Sequence, residues 1–119
     1  MHLSLQAPHL DLSSALSRLG GDDELLREIA LLFLDEYPKL LCEIQAAGTS
    51  RNAEALLRAA HSLKGSVTNF GADAAYRAAL ALETAGRTKD LLQVDEQIHE
   101  LVQAMSDIHP ELVELTSSR

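Results

Sequence analysis

The sequence predicts an all-α protein, an antiparallel up-down-up-down four-helix bundle with a short N-terminal capping helix. Three observations predict this architecture. The three prolines and six glycines stand where helices would end or bend, not inside alternating apolar patterns. Apolar residues recur three and four positions apart along each long segment, which is the spacing of one face of an α-helix. The segments are joined by short loops, so consecutive helices are expected to run antiparallel.

One domain is expected over residues 11–115, with a flexible N-terminus over 1–10 and a disordered tail over 116–119. A chain of 119 residues and 12.9 kDa has the size of a single domain and can bury one core without disulfides. The first helix, about 12–19, begins after Asp11, whose side chain can cap it. Two consecutive glycines then end it.

The second helix is predicted from Asp22 to no further than Gly48, and Pro38 is expected to bend it, because the apolar stripe continues in phase beyond the proline. The stripe consists of Leu26, Ile29, Phe33, Leu40 and Ile44. The third helix is predicted over about 50–68. Its buried stripe consists of Leu56, Ala60, Leu63 and Val67.

The fourth helix, about 72–85, is rich in alanine, which favours helix formation and lets neighbouring backbones approach closely. Gly86 is expected to end it. The fifth helix starts near Thr88 and is expected to bend or break at Pro110. Its apolar seam consists of four residues spaced seven apart, Leu91, Ile98, Met105 and Leu112. Leu101 and Ile108 lie between them on the same seam.

Composition and charge exclude several classes of partner. The 18 acidic residues against 10 basic ones give a net charge of −8, which repels nucleic acids and anionic lipid surfaces. No apolar run approaches a membrane span, and Met1 to Leu10 contains no Lys or Arg, so neither a membrane segment nor a signal peptide is expected. The single cysteine, Cys42, fits a reducing compartment and is expected to be a small buried hydrophobe. We therefore expect a cytoplasmic location.

The third helix carries the residues that point to a chemical function. At 100° per residue, His61 lies about 140° from Leu56 and about 120° from Val67, so it is expected to face solvent. The same exposed face holds Glu54, Leu57, Arg58, Lys64, Gly65 and Thr68. An exposed imidazole can attack a phosphoryl group, while Lys64 supplies positive charge to the phosphoryl oxygens and Gly65 leaves room for a docking partner. Most exposed helical histidines are inert, however, so periodicity alone leaves open a purely structural bundle.

The remaining neighbours of His61 are candidates for contact with a partner. Leu57 lies away from the buried stripe and either anchors a partner or fills the flank of the bundle. Arg58 would suit an acidic partner surface, and Thr68 and Gly65 complete this predicted docking face. No pair among the five histidines has the spacing of a metal motif, so no metal site is expected.

The run Ala60-His61-Ser62-Leu63-Lys64-Gly65, followed by Phe70-Gly71 and later by Leu82-Glu83, resembles the histidine-containing phosphotransfer (HPt) family. The likeness extends over almost the whole chain, because the proline-containing second helix is also similar to the family. The resemblance implies that His61 is the phosphoacceptor, that Lys64 steadies the phosphoryl group and that Gly65 admits the partner.

The resemblance further implies a phosphocarrier that moves a phosphoryl group between aspartates of receiver domains in a phosphorelay, without ATP and without hydrolysis. The sequence has no glycine-rich nucleotide loop, in keeping with this expectation. No cofactor is expected in the chain, since Mg²⁺ would be held by the partner receiver, and a monomer is expected.

Two alternatives remain at this stage, the phosphoacceptor domain of a chemotaxis-type kinase and a structural helical module. Lys64-Gly65 argues against the latter, because a packing helix has no need of a glycine that costs about 1 kcal/mol relative to alanine.

Overall fold

The computed structural model describes residues 8–117, and these residues form five α-helices and no strand. The helices are α1 (Leu12–Arg18), α2 (Asp23–Ser50), α3 (Ala53–Thr68), α4 (Asp73–Thr88) and α5 (Val94–Ser117). Helix α3 packs against α2 and α4, and α5 closes the ring by packing against the same two helices. Helix α1 contacts α2 at the side of this bundle. The predicted all-α bundle is therefore confirmed.

The three N-terminal caps follow directly from side-chain chemistry. Asp11, Asp22 and Asn52 each place a side-chain oxygen on a backbone N–H three residues ahead, at the starts of α1, α2 and α3. Helix α2 continues past its predicted end because Gly48 packs on α5, where a Cβ would lie 2.5 Å from Ile98 Cδ1. The turn falls instead at Arg51, whose φ of 54° is left-handed.

Helix α4 also runs past the glycine that was expected to end it. Gly86 is buried inside α4, and a Cβ there would lie 2.7 Å from the Ala53 carbonyl oxygen and 2.8 Å from Leu57 N. The glycine thus lets the backbones of α3 and α4 approach closely. The helix ends at Thr88 with a left-handed Lys89, and α5 begins at Val94, later than predicted.

Both internal prolines lie within continuous helices. Helix α2 passes through Pro38, and α5 passes through Pro110 and ends at Ser117, so of the predicted bend or break at Pro110 the break does not occur. Residues 116 and 117, expected in a disordered tail, are therefore helical, whereas 118–119 lie outside the described residues. Loss of one backbone hydrogen bond is tolerated where tertiary packing holds both sides of the proline.

Residues 8–10, here called the N-terminal strap, lie against α5. Leu10 is buried, and the Glu111 carboxylate accepts hydrogen bonds from the backbone N–H of His9 and of Leu10, each at 2.9 Å. The His9 side chain adds a contact from Nδ1 to Glu111 Oε2 at 2.8 Å. The predicted flexible N-terminus thus has its last three residues fixed on the bundle, and residues 1–7 lie outside the described part.

Leucine and alanine supply most of the core, as the composition indicates, together with an aromatic group of Phe33, Tyr37 and Phe70. The prediction for Cys42 is wrong, because its side chain is exposed on α2. On an amphipathic helix a cysteine can lie on the buried face or on the exposed face. The apolar residues next to Cys42 in the sequence do not determine which face it lies on.

Candidate functional site

The site lies where the middle of α3 faces the C-terminal half of α4. His61 stands on α3 with 67% of its side chain exposed, as the helical angles predict, and Glu83 stands opposite it on α4 with only 4% exposed. The two helices are held close here by the glycine at position 86. A buried carboxylate beneath an exposed imidazole is the central feature of the site.

The imidazole is oriented by one ring nitrogen. His61 Nδ1 lies 3.0 Å from Glu83 Oε2. Because an ionised carboxylate only accepts hydrogen bonds, Nδ1 is the nitrogen that carries the proton and donates it to Glu83. The Nε2 atom is left with its lone pair on an exposed side chain, which is the state that a nucleophilic imidazole requires.

Glu83 is balanced by two further cations. Lys64 Nζ lies 2.7 Å from Oε1 in an ion pair. Arg87 Nη2 donates to Oε2 at 2.8 Å from one turn further along α4. Hydrogen bonding and charge from Lys64, and to a smaller extent from His61, lower the pKa of Glu83 against the opposing effect of burial. The carboxylate is therefore ionised at neutral pH.

These four residues, His61, Lys64, Glu83 and Arg87, are named the Glu83 cluster. The sequence singled out His61 and Lys64 and recorded Glu83 only as part of a family motif. Arg87 was missed, although its position four residues after Glu83 is the spacing of a helical ion pair and could have suggested it. The Lys64 side chain is 20% exposed, and its ammonium contacts Glu83. Its expected contact with a phosphoryl group stays a prediction.

The predicted docking residues lie around the cluster in different environments. Gly65 faces open space, since a Cβ there would meet nothing within 4 Å. Arg58 is exposed and lines a groove between α2 and α3, and Thr68 is exposed with its hydroxyl donating to the Lys64 carbonyl oxygen at 2.9 Å. Leu57 is half-buried, because α4 approaches its backbone at Gly86. Leu57 therefore fills part of the flank of the bundle, and its contact with a partner stays a prediction.

Within residues 8–117, no three histidine, cysteine, aspartate or glutamate side chains come together in a group that could hold a metal ion. None of the helices in this part of the chain is both long enough and apolar enough to cross a membrane. The Glu83 cluster is thus a site built from one histidine, one carboxylate and two cations.

The chain is similar to known proteins both in sequence and in fold. The family model described as Hpt domain matches residues 28–110. The phosphorelay protein LuxU of Vibrio vulnificus, from strains YJ016 and CMCP6, is 31% identical over 101 residues, which covers 78% of this chain and 85% of LuxU. The crystal structure of histidine-containing phosphotransfer protein B (HptB) from Pseudomonas aeruginosa PAO1 superposes with a TM-score of 0.84 at 24% identity. The alignment covers 96% of this chain and all of that one, and it establishes the shared fold.

Proposed function

The chain belongs to the Hpt domain family and is a phosphocarrier that acts in histidine phosphotransfer within a phosphorelay, and we propose that His61 Nε2 is the atom that carries the phosphoryl group. The observation that supports this assignment is the contact between Nδ1 and Glu83, which fixes the proton on one ring nitrogen and leaves the other free. Family membership excludes the purely structural bundle that the sequence alone left open.

The proposed transfer step follows from this arrangement. Nε2 attacks phosphorus in the aspartyl phosphate of a receiver domain, the P–N bond forms as the P–O bond breaks, and the aspartate leaves as a carboxylate. The ring keeps its Nδ1 proton and becomes cationic, and the Glu83 carboxylate, 3.0 Å from Nδ1, stabilises that charge. The reverse sequence passes the phosphoryl group to a second receiver.

The proposal extends to partners and cofactors. Partners in the phosphorelay are receiver domains of response regulators or of hybrid histidine kinases, whose acidic pockets would accept the cations on α3 and α4. Mg²⁺ would belong to the receiver, and the chain would need no cofactor of its own. We propose that it has no kinase or hydrolase activity, and that it works as a monomer in the cytoplasm, where a free cysteine such as Cys42 stays reduced.

The test mixes the purified chain with a receiver domain phosphorylated on aspartate and follows acid-labile label. The parent chain should take up label, and mass spectrometry should place it on His61. His61→Gln should abolish uptake while changing the melting temperature little, because substitutions of exposed side chains usually stay within about 0.5 kcal/mol. His99→Gln, at an exposed histidine on α5, is the matched control and should accept label like the parent.

Two outcomes would contradict the proposal. The first is label on another histidine in the His61→Gln variant. The second is stoichiometric labelling of the isolated chain by Mg²⁺ and ATP alone, which a carrier without a nucleotide site cannot perform.

A further inference from the structure

Gly86 lies in α4 about one turn beyond Glu83, where the backbone of α3 comes closest. It is buried, and a Cβ at this position would lie 2.7 Å from the Ala53 carbonyl oxygen, 2.8 Å from Leu57 N and 3.0 Å from Leu57 Cα. All three atoms belong to the backbone of α3, so rotation of a side chain cannot make room for a methyl group. Because contacts between non-bonded carbon atoms are most favourable at about 3.5–4.0 Å, any side chain at position 86 has to push α4 away from α3.

The contact that orients the imidazole spans the same gap between the two helices. His61 Nδ1 on α3 lies 3.0 Å from Glu83 Oε2 on α4. Arg87, also on α4, donates to this oxygen at 2.8 Å, so Oε2 is held to α4 and moves with it. A displacement of about 0.5–1 Å would take the distance from Nδ1 to Oε2 beyond the length of a hydrogen bond. The orienting contact therefore depends on the helix separation that Gly86 permits.

A second buried glycine, Gly48, has a different kind of neighbour. It lies on α2 and faces α5, where a Cβ would lie 2.5 Å from Ile98 Cδ1. That atom is the end of a flexible side chain, and a change of rotamer at Ile98 can move it aside while both helices stay in place. Gly86 thus sets a backbone distance beside the Glu83 cluster, whereas Gly48 accommodates one side chain between two other helices.

On the basis of the proposed phosphoacceptor, we propose that Gly86 is a positioning residue for phosphotransfer, which acts by holding Glu83 within hydrogen-bond distance of His61 Nδ1. Without this contact the proton of the neutral ring can occupy either nitrogen, and a ring that is protonated on Nε2 has no lone pair there to attack phosphorus. The cationic ring formed on transfer also loses part of its counter-charge. Gly86 therefore acts on the reaction through Glu83, without touching the phosphoryl group.

The experiment measures two properties of Gly86→Ala. Nitrogen NMR signals of the His61 ring report which ring nitrogen carries the proton, and labelling by a phosphorylated receiver reports the transfer rate. The variant should show a population of rings protonated on Nε2 and should transfer about tenfold more slowly, because the carboxylate has moved away from the ring. Gly48→Ala is the matched control, and it should keep the parental ring signals and transfer rate even if its melting temperature falls.

A double-mutant cycle with Glu83→Gln separates positioning from a general loss of structure. Since Gly86 acts through the carboxylate, Gly86→Ala should slow transfer no further once the carboxylate has been removed. A general distortion of the bundle would slow transfer equally in both backgrounds, and that result would overturn the inference.

Glu83→Asp tests the same distance with Gly86 in place, and it decides the question if Gly86→Ala does not fold. The shorter side chain withdraws the carboxylate from the ring by one methylene group. It should therefore also give rings protonated on Nε2 and slower transfer. Parental ring signals and a parental rate in Glu83→Asp would show that the distance from the carboxylate to the ring does not matter.

The remaining outcomes distinguish this inference from the proposed function. If Gly86→Ala folds and keeps the parental ring signals and rate, Gly86 is not a positioning residue. Equal losses in Gly48→Ala would also overturn the inference, because the effect would then belong to any buried glycine. If the parent takes no label on His61, it is the proposed function that fails, whereas the ring signals, which require no receiver, still test the positioning of Glu83.

Discussion

Two histidine–glutamate pairs in this molecule have nearly the same geometry and different surroundings. His61 Nδ1 lies 3.0 Å from Glu83 Oε2, and His9 Nδ1 lies 2.8 Å from Glu111 Oε2. Each pair joins residues on two separate segments. The pairs differ in what else the carboxylate contacts and in how much of the ring remains accessible.

The Glu111 carboxylate is occupied mainly by backbone. It accepts hydrogen bonds from the N–H groups of His9 and Leu10, and so fixes the N-terminal strap to α5. The Glu83 carboxylate contacts only side chains, namely the imidazole and two cations. The His9 side chain is 35% exposed against 67% for His61. A histidine–carboxylate contact is therefore structural where backbone amides share the carboxylate, and it can serve chemistry where side-chain cations share the carboxylate beside an exposed ring.

The largest expected difference between the pairs concerns the space beside the ring. Gly65, one turn beyond His61, faces open space. Gly65→Gln should hold the fold yet slow transfer from a phosphorylated receiver about a hundredfold, because in-line attack tolerates a displacement of only about 1 Å. Transfer kinetics and thermal melting check this together. A parental transfer rate would show that Gly65 has no role in access.

A smaller difference is expected when each carboxylate becomes an amide. Glu83→Gln should slow transfer about tenfold, because the cationic ring loses its counter-charge and faces Lys64 and Arg87 alone. Glu111→Gln should leave transfer unchanged and loosen the N-terminal strap, measurable as faster amide hydrogen exchange at Leu10. Equal effects of the two variants on transfer would remove the distinction drawn between the pairs.

The same variants give a pH prediction. Contacts with Lys64 and His61 lower the pKa of Glu83, and at Glu111 burial raises the pKa but hydrogen bonds from His9 and Leu10 outweigh it. A carboxylate whose pKa is lowered in the folded state stabilises the fold at any pH above its ordinary pKa of 4.5. This stabilisation disappears as the pH falls through the lower pKa of the folded state. Each variant should therefore lose about 1–2 kcal/mol of unfolding free energy at neutral pH and show a flatter decline below pH 4.5 in denaturant titrations. If the unfolding free energy of the variants declines as steeply below pH 4.5 as that of the parent, this prediction is wrong.

The smallest expected difference is between two glycine-to-alanine substitutions, at Gly65 one turn beyond His61 and at Gly71 next to Asp11, which follows the N-terminal strap. Gly65→Ala should raise the unfolding free energy by up to about 1 kcal/mol, since the site is helical and open. Gly71→Ala should lower it by about 1–3 kcal/mol, because φ is +63° and a Cβ would lie 2.6 Å from Asp11 Cβ at the base of the strap. Thermal melting of both variants measures the pair of effects, and a change of the same sign in both would contradict the contrast.

Much of the fold follows from the sequence because helix periodicity is local. The caps at Asp11, Asp22 and Asn52 are read from residue type, and the four long helices follow from apolar stripes. The helix ends were placed less well at Gly48 and Gly86. A glycine in a sequence looks the same whether it supplies a turn or a close backbone approach, and only the neighbouring helix decides which.

By itself the sequence determined the helical bundle, the exposed position of His61 on α3 and, through the motif around Lys64 and Gly65, the resemblance to phosphotransfer domains. Only the tertiary structure decided that Glu83 is buried under the ring, that Lys64 and Arg87 share its carboxylate and that Glu111 fastens the strap. The physical reason is that a residue's face on its own helix depends on spacing along the chain, whereas its partners depend on which face the next helix presents. That choice is made by packing over the whole core, with Gly86 setting how closely α3 and α4 approach.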